Sequence, residues 1–367
     1  MVRARESPRV KVIVRVDASP TIGSGHVVRC LTLAAMLARE GATLLFICRD
    51  GPGGLCELVE ARGYQLARLP ALPAECVADG SFAGSWEQDA AASRAAIAAF
   101  GGRPALLVVD HYGLDVRWER ALRPVVGRIL VLDDLADRPH DCDLLLDQSL
   151  HDDAESRYAN LVGRGTRVFL GPSYALLREE FDAATPRLRD QGSRRLLVFF
   201  GGDAAGEVTK IINALRAMEM TRPAATVVLG PQYVGEAQLR ETARGLAGIE
   251  ILAETNEMSR LMATADLGIG TCGGAAWERC AMGLPALVVV TADNQRDDAR
   301  ALERLGAVRN LGDAAAVTAK DWCTQIRSLE QRPDELLAMS RAAVGVLQHR
   351  REGMRELRAA LIAGVGA

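Results

Sequence analysis

No apolar run in this sequence approaches the length needed to cross a bilayer. Arg15 interrupts the apolar segment near the amino terminus, so that segment does not read as a signal-peptide core. The eight cysteines (30, 48, 56, 76, 142, 272, 280 and 323) form no C-x-x-C pair and no zinc spacing. That points away from a disulfide framework or a zinc module and towards a reduced, cytoplasmic chain. A charge excess is missing too: 44 basic residues face 47 acidic ones, for a net charge of −3. The basic residues are nearly all arginine and lie dispersed among acids, which argues against a dedicated nucleic-acid binder. Neither a low-complexity tract nor a short internal repeat is present.

What is there is a globular composition, 49% hydrophobic and 25% charged over 367 residues, too long for one typical core. Strand-like apolar runs alternate with helical patterns throughout, the signature of a parallel α/β architecture. A first series of strands is predicted at 12–16, 43–48, 105–110, 128–133 and 143–146, with residues 71–100 mostly helical. A polar stretch over 187–195 reads as a linker. A second series follows at 196–200, 225–229, 249–252, 267–269 and 286–290, with a helix over 207–219. The reading is two domains, 1–186 and 187–367, with the last helix packing back on the first. Two doubly wound halves would face a central cleft, with ligands beyond the carboxyl ends of the strands.

The chemistry concentrates at strand ends. After the strand at 12–16 comes a turn with Gly23 and Gly25, then a helical stripe of Val27, Leu31, Ala34, Leu37 and Ala38. Glycines at a strand-to-helix turn admit a ligand to the backbone, and the unpaired amides of a first helical turn favour an anion. His26 sits at that spot, and an imidazole is the side chain best suited to take a proton from water at working pH. A nicotinamide fingerprint would need a third glycine at position 28, where Val28 stands. Asp110-His111-Tyr112-Gly113 ends another strand and is as readily a capped polar turn as a site. Asp133-Asp134 ends the next, where capping is the favoured reading. In the second half, Gly273-Gly274 opens a helix whose first turn carries Glu278, a carboxylate suited to the two hydroxyls of a ribose. Gly201-Gly202 and Asp293-Asn294-Gln295 end neighbouring strands. Three such turns suit a nucleotide diphosphate.

Taken together, Arg15-Val-Asp-Ala, Ile22-Gly-Ser-Gly-His26, Val109-Asp-His-Tyr-Gly113, His140-Asp-Cys-Asp-Leu-Leu-Leu146 and Pro172-Ser-Tyr-Ala-Leu-Leu-Arg-Glu-Glu-Phe181 resemble the nucleotide-sugar hydrolases of the pseudaminic acid pathway. The match continues through Gly201-Gly202-Asp203 to Asn294-Gln295. The resemblance implies a GT-B-like fold of two Rossmann-type parallel-sheet domains, with UDP on the carboxyl-terminal half. It implies hydrolysis of a UDP-linked 2,4-diacetamido-2,4,6-trideoxyhexose to UDP and free sugar, with inversion and without a metal or cofactor. His26 would be the general base, with Tyr112 and Asn294 near the sugar and its phosphate as further catalytic residues. Substrate contacts would come from Arg15, Asp17, Gly23, Gly25, His111, Gly201, Gly202, Gly273, Gly274, Glu278 and Gln295. Residues 258–295 also resemble the UDP-sugar site of the lipid-linked peptidoglycan N-acetylglucosaminyltransferase, so the alternative is a GT-B transferase of a UDP-amino sugar. Apart from the UDP-sugar, no nucleic-acid or membrane partner is expected, and the chain reads as a monomer or weak dimer.

Overall fold

The computed structural model describes residues 10–19, 22–71, 85–190, 192–201, 206–253 and 255–363. They form β1 (Lys11–Val16), α1 (Gly25–Arg39), β2 (Thr43–Arg49), α2 (Cys56–Ala61), β3 (Gln65–Leu69), α3 (Trp86–Phe100), β4 (Leu106–Asp110), α4 (Val116–Leu122), β5 (Arg128–Leu132), β6 (Leu144–Asp147), α5 (Ala154–Arg157) and β7 (Arg167–Leu170). A second series follows: β8 (Arg195–Phe199), α6 (Glu207–Ala217), β9 (Ala224–Val228), α7 (Glu236–Ala243), β10 (Ile249–Leu252), α8 (Met258–Thr264), β11 (Leu267–Thr271), α9 (Gly274–Ala281), β12 (Ala286–Val290), α10 (Arg296–Arg304) and β13 (Val308–Asp313). Three helices close the chain, α11 (Ala319–Glu330), α12 (Pro333–Val346) and α13 (Arg350–Ile362).

Two compact units result. One holds Met1–Ser149, Asp153–Leu176 and Arg351–Ala367, the other Leu150–Asp152 and Leu177–Arg350. The first contains a seven-stranded sheet, order β3-β2-β1-β4-β5-β6-β7, and the second a six-stranded sheet, order β10-β9-β8-β11-β12-β13. Every pairing is parallel. Each sheet reverses its winding once, between β1 and β4 in the first and between β8 and β11 in the second. Crevices at such reversals are where α/β sheets bind ligands.

The central strands are continuous apolar runs because helices cover both faces. Val12, Val14, Leu106 and Val108 pack into one core, while Ile13, Leu107 and Val109 pack into another on the opposite face. Part of α13 belongs to the first unit: Leu357 and Leu361 enter its core, and Arg128 donates to the carbonyls of Ala360 (2.9 Å) and Leu361 (2.6 Å).

Three strands were not anticipated in the sequence, β3, β7 and β13, and all three are sheet edges. Their residues are only partly buried, so no apolar run marks them. Ala38 proves exposed, which narrows the buried stripe of α1. The stretch 187–195 is largely exposed among its described residues but is anchored by two buried side chains, Arg189 and Ser193. Arg189 is buried, and its guanidinium donates to the carbonyls of Met262 (2.6 Å), Ala265 (3.2 Å), Met282 and Arg187. It thereby caps the carboxyl ends of α8 and α9, where a cation also complements the helix dipole. Among the described residues, no helix is long and apolar enough to cross a membrane.

Candidate active site

Parallel pairing sets Val16 beside Asp110, which brings the carboxyl ends of β1 and β4 together at the first reversal point. The chain leaving β1 turns tightly: the Gly23 amide donates to the Ser19 carbonyl at 2.7 Å, and Gly23 takes a φ of +81°, a conformation that favours glycine. Helix α1 then starts at Gly25 and places His26 in its first turn. A Cβ added at Gly25 would meet no protein atom within 4 Å, so nothing inside the unit demands glycine there.

His26 Nδ1 lies 2.5 Å from Asp110 Oδ1. Arg29, one turn on, grips the same carboxylate with Nε to Oδ2 and Nη2 to Oδ1, both at 2.6 Å, and reaches Asp134 Oδ2 with Nη1 at 2.9 Å. The Tyr112 hydroxyl donates to Asp134 Oδ1 at 2.7 Å, and its ring meets the His26 ring edge-on at 4.6 Å. Burial alone would raise the Asp110 pKa, but Arg29 and then His26 hold it well below the usual carboxylate range. Asp134 is held low in the same way. Burial and Asp134 push the Tyr112 phenol up, so it stays a donor.

These states fix the imidazole tautomer. An ionised carboxylate 2.5 Å from Nδ1 requires a proton between them, because two facing lone pairs would repel. Arg29 Nη2 also lies 3.0 Å from Nδ1, but it donates to Asp110 Oδ1 at the shorter 2.6 Å, so Nδ1–H donates to Asp110 and Nε2 carries the basic lone pair. Nε2 makes no hydrogen bond with any described residue. With two carboxylates and one guanidinium, the cluster holds one negative charge in excess, which a proton on His26 would neutralise.

A second layer lies behind this one. Arg15 is fully buried and forks onto Asp17 (2.6 and 2.8 Å) and Asp89 (3.1 and 2.7 Å). His111, the first residue after β4, joins this second layer. The Gly113 amide donates to its Nδ1 at 3.0 Å, so its Nε2 bears the proton and faces Asp17 Oδ2 at 3.2 Å. Arg15, Asp17 and His111 thus spend their polar atoms on one another, fixing the ends of β1 and β4.

In the second unit, β11 delivers Gly273 and Gly274 to the start of α9. A Cβ at Gly274 would again meet open space, and at Gly273 only the Thr271 hydroxyl at 4.0 Å. Gly268 and Gly270 differ: a Cβ there would strike the buried Arg279 side chain at 2.8 and 3.1 Å. Glu278, one turn into α9, is buried and accepts a two-point contact from one edge of the Arg178 guanidinium. Gly201 ends the β8 turn with φ +77°, its carbonyl packed where any Cβ on Gly230 would fall. Gln295 Oε1 accepts from the Thr291 amide and hydroxyl at 3.3 and 3.1 Å, and Asn294 is exposed on the same turn. Gly202 and Asp203 lie outside the described residues. Among the described residues, no group of three or more His, Cys, Asp or Glu side chains is arranged to hold a metal ion.

Sequence reasoning left three members of the first cluster unassigned. The sequence alone assigns no role to Arg29, leaves Asp110 between a capped turn and a site, and favours capping for Asp134. The usable signal for Asp134 is its place after β5, the sheet neighbour of β4.

Residues 196–357 match the glycosyltransferase family 28 C-terminal domain. Over 174 residues, 47% of this chain, the sequence is 31% identical to a Campylobacter jejuni subsp. jejuni protein named UDP-2,4-diacetamido-2,4,6-trideoxy-beta-L-altropyranose hydrolase, covering 53% of that protein. The matched stretches span about half the length of the curated relatives. Acinetobacter baumannii MurG is structurally similar with a TM-score of 0.62 at 15% identity, over 96% of this chain and 99% of that one. Arabidopsis thaliana UGT89C1 complexed with UDP gives 0.67 at 13% identity, over 96% and 100%. The chain therefore has the GT-B double-Rossmann fold, matches the glycosyltransferase family 28 C-terminal domain over residues 196–357, and is similar in sequence to a nucleotide-sugar hydrolase.

Proposed function

We propose that the protein hydrolyses a UDP-linked 2,4-diacetamido-2,4,6-trideoxyhexose to UDP and the free sugar, as a step of pseudaminic (nonulosonic) acid biosynthesis. The observation that carries this reading is the His26–Asp110 pair at the first reversal point, with Nδ1 committed to the carboxylate and Nε2 left to accept a proton. The 31% identity to a named hydrolase supports the choice of substrate class.

In the proposed step, a water oxygen bonds to the anomeric carbon on the face opposite UDP. His26 Nε2 takes the water proton as the bond forms. The bond between the anomeric carbon and the β-phosphate oxygen breaks, and its electron pair leaves with UDP, so the configuration inverts. Asp110 holds the imidazole in its working tautomer and offsets the charge it gains. Tyr112 packs against the imidazole, and Asn294 serves the sugar and its phosphate. The second unit supplies the nucleotide contacts: the α9 start at Gly273 and Gly274 for the diphosphate, Glu278 for the ribose, and Gly201 and Gln295 beside them. Neither a metal nor a cofactor enters the step.

Incubating the protein with a panel of UDP-di-N-acetylated sugars and following the anomeric proton by NMR tests the reading. Free sugar of inverted configuration is expected, with turnover lowered roughly 10²–10⁴-fold in His26→Ala. Full UDP release by His26→Ala would sink the mechanism. Sugar appearing only on an added acceptor would select a transferase instead.

A further inference from the structure

Residues 172–181 carry part of the sequence resemblance, yet the proposed step uses none of them. In the structure the end of this stretch is tied to the nucleotide residue Glu278. Arg178 Nε donates to Glu278 Oε1 at 2.7 Å and Nη2 to Oε2 at 2.8 Å, joining residues 100 positions apart. Its remaining nitrogen lies 3.3 Å from Glu180 Oε1, and Glu180 Oε2 accepts the Ser259 amide at 3.1 Å in the first turn of α8. The guanidinium also lies 5.4 Å from the ring centre of Phe181, itself buried. Arg178 is thus fixed on three sides before it reaches Glu278.

We propose that Arg178 is a positioning residue for ribose recognition, setting the plane of the Glu278 carboxylate so that its remaining lone pairs meet the nucleotide hydroxyls. The inference rests on Glu278 being the ribose contact. An ionised carboxylate offers about four lone-pair sites, and a two-point fork consumes one on each oxygen. One acceptor site then remains on each oxygen, the number that two neighbouring hydroxyls require. A lysine at position 178 could supply the charge but not the planar fork.

Calorimetric titration with UDP and with 2′-deoxy-UDP tests this on the wild type, Arg178→Lys, Arg178→Gln, Glu278→Gln and the Arg178→Gln/Glu278→Gln double variant. The wild type should prefer UDP at least about tenfold, the scale of hydrogen bonds to a charged group. Arg178→Gln should lose that preference by weakening UDP binding about tenfold while 2′-deoxy-UDP changes little. Arg178→Lys, which retains the charge at this position, should fall between. In the Glu278→Gln background, Arg178→Gln should add nothing. A preference that survives Arg178→Gln, or tighter UDP binding by that variant, overturns the role of Arg178 alone. A wild type that binds neither nucleotide overturns the nucleotide assignment and this inference with it.

Discussion

His26 and Asp110 lie 84 residues apart in sequence, yet their side chains meet at 2.5 Å where β1 and β4 end side by side. The same carboxylate carries a two-point contact from Arg29, so its orientation towards the imidazole is fixed from two sides. Asp110→Asn would leave the shape while allowing the opposite tautomer. We expect turnover to fall about 10²-fold or more with the KM for the UDP-sugar little changed, as measured by steady-state kinetics. A large rise in KM with unchanged kcat would place Asp110 in binding instead.

Tyr112 makes two separable contacts, a hydroxyl on Asp134 and a ring edge against His26. Tyr112→Phe keeps the ring and should lower kcat by no more than about tenfold, the scale of one hydrogen bond. Tyr112→Ala removes both contacts and should cost distinctly more. Equal losses in the two variants would mean that the hydroxyl, not the ring, is what matters.

Folded-state pKa values for Asp17, Asp110 and Asp134 all lie below the ordinary carboxylate value. A carboxylate with a depressed folded pKa adds stability above its unfolded pKa of about 4, and that stability is lost as pH falls through the folded value. Thermal midpoints should therefore hold on the neutral side of about pH 5 and decline below about pH 4, less steeply in Asp110→Asn. An identical decline in that variant would show that the acid sensitivity arises elsewhere.

Cys272 lies just before α9 and Cys280 in its last turn, both nearly inaccessible, and burial pushes each thiol up to about 12. Only the thiolate is nucleophilic, so iodoacetamide at pH 8 should leave both unmodified in the native protein and label both in denaturant. Labelling of either in the native state, read by peptide mass mapping, would mean that α9 opens readily.

Arg189→Met should destabilise the second unit by about 3 kcal/mol, because buried helix-end carbonyls lose their donor. A shift in the urea midpoint with unchanged slope would register this, whereas a shift of less than about 0.5 kcal/mol would show that water replaces the guanidinium.

How much of this was legible in the sequence follows from locality. Residues 106–109 and Ala286–Val290 are buried on both faces and stand out as unbroken apolar runs. The edge strand Val308–Asp313 mixes Arg309, Asn310 and Gly312 with its apolar residues and gives no such signal. Site residues divide similarly. Glycine turns at strand ends announce His26 and Glu278, whereas Asp134 meets Arg29, and Arg178 meets Glu278, across about a hundred residues of sequence. The family resemblance implies Arg15 as a substrate contact. Its burial between Asp17 and Asp89, the latter 74 residues distant, is visible only once the chain is folded.

The central claim is that water attacks the anomeric carbon. Running the reaction in ¹⁸O-enriched water and weighing both products tests it most directly. The account predicts label in the free sugar and none in UDP. Label in UDP, which would mean cleavage at phosphorus, would contradict it.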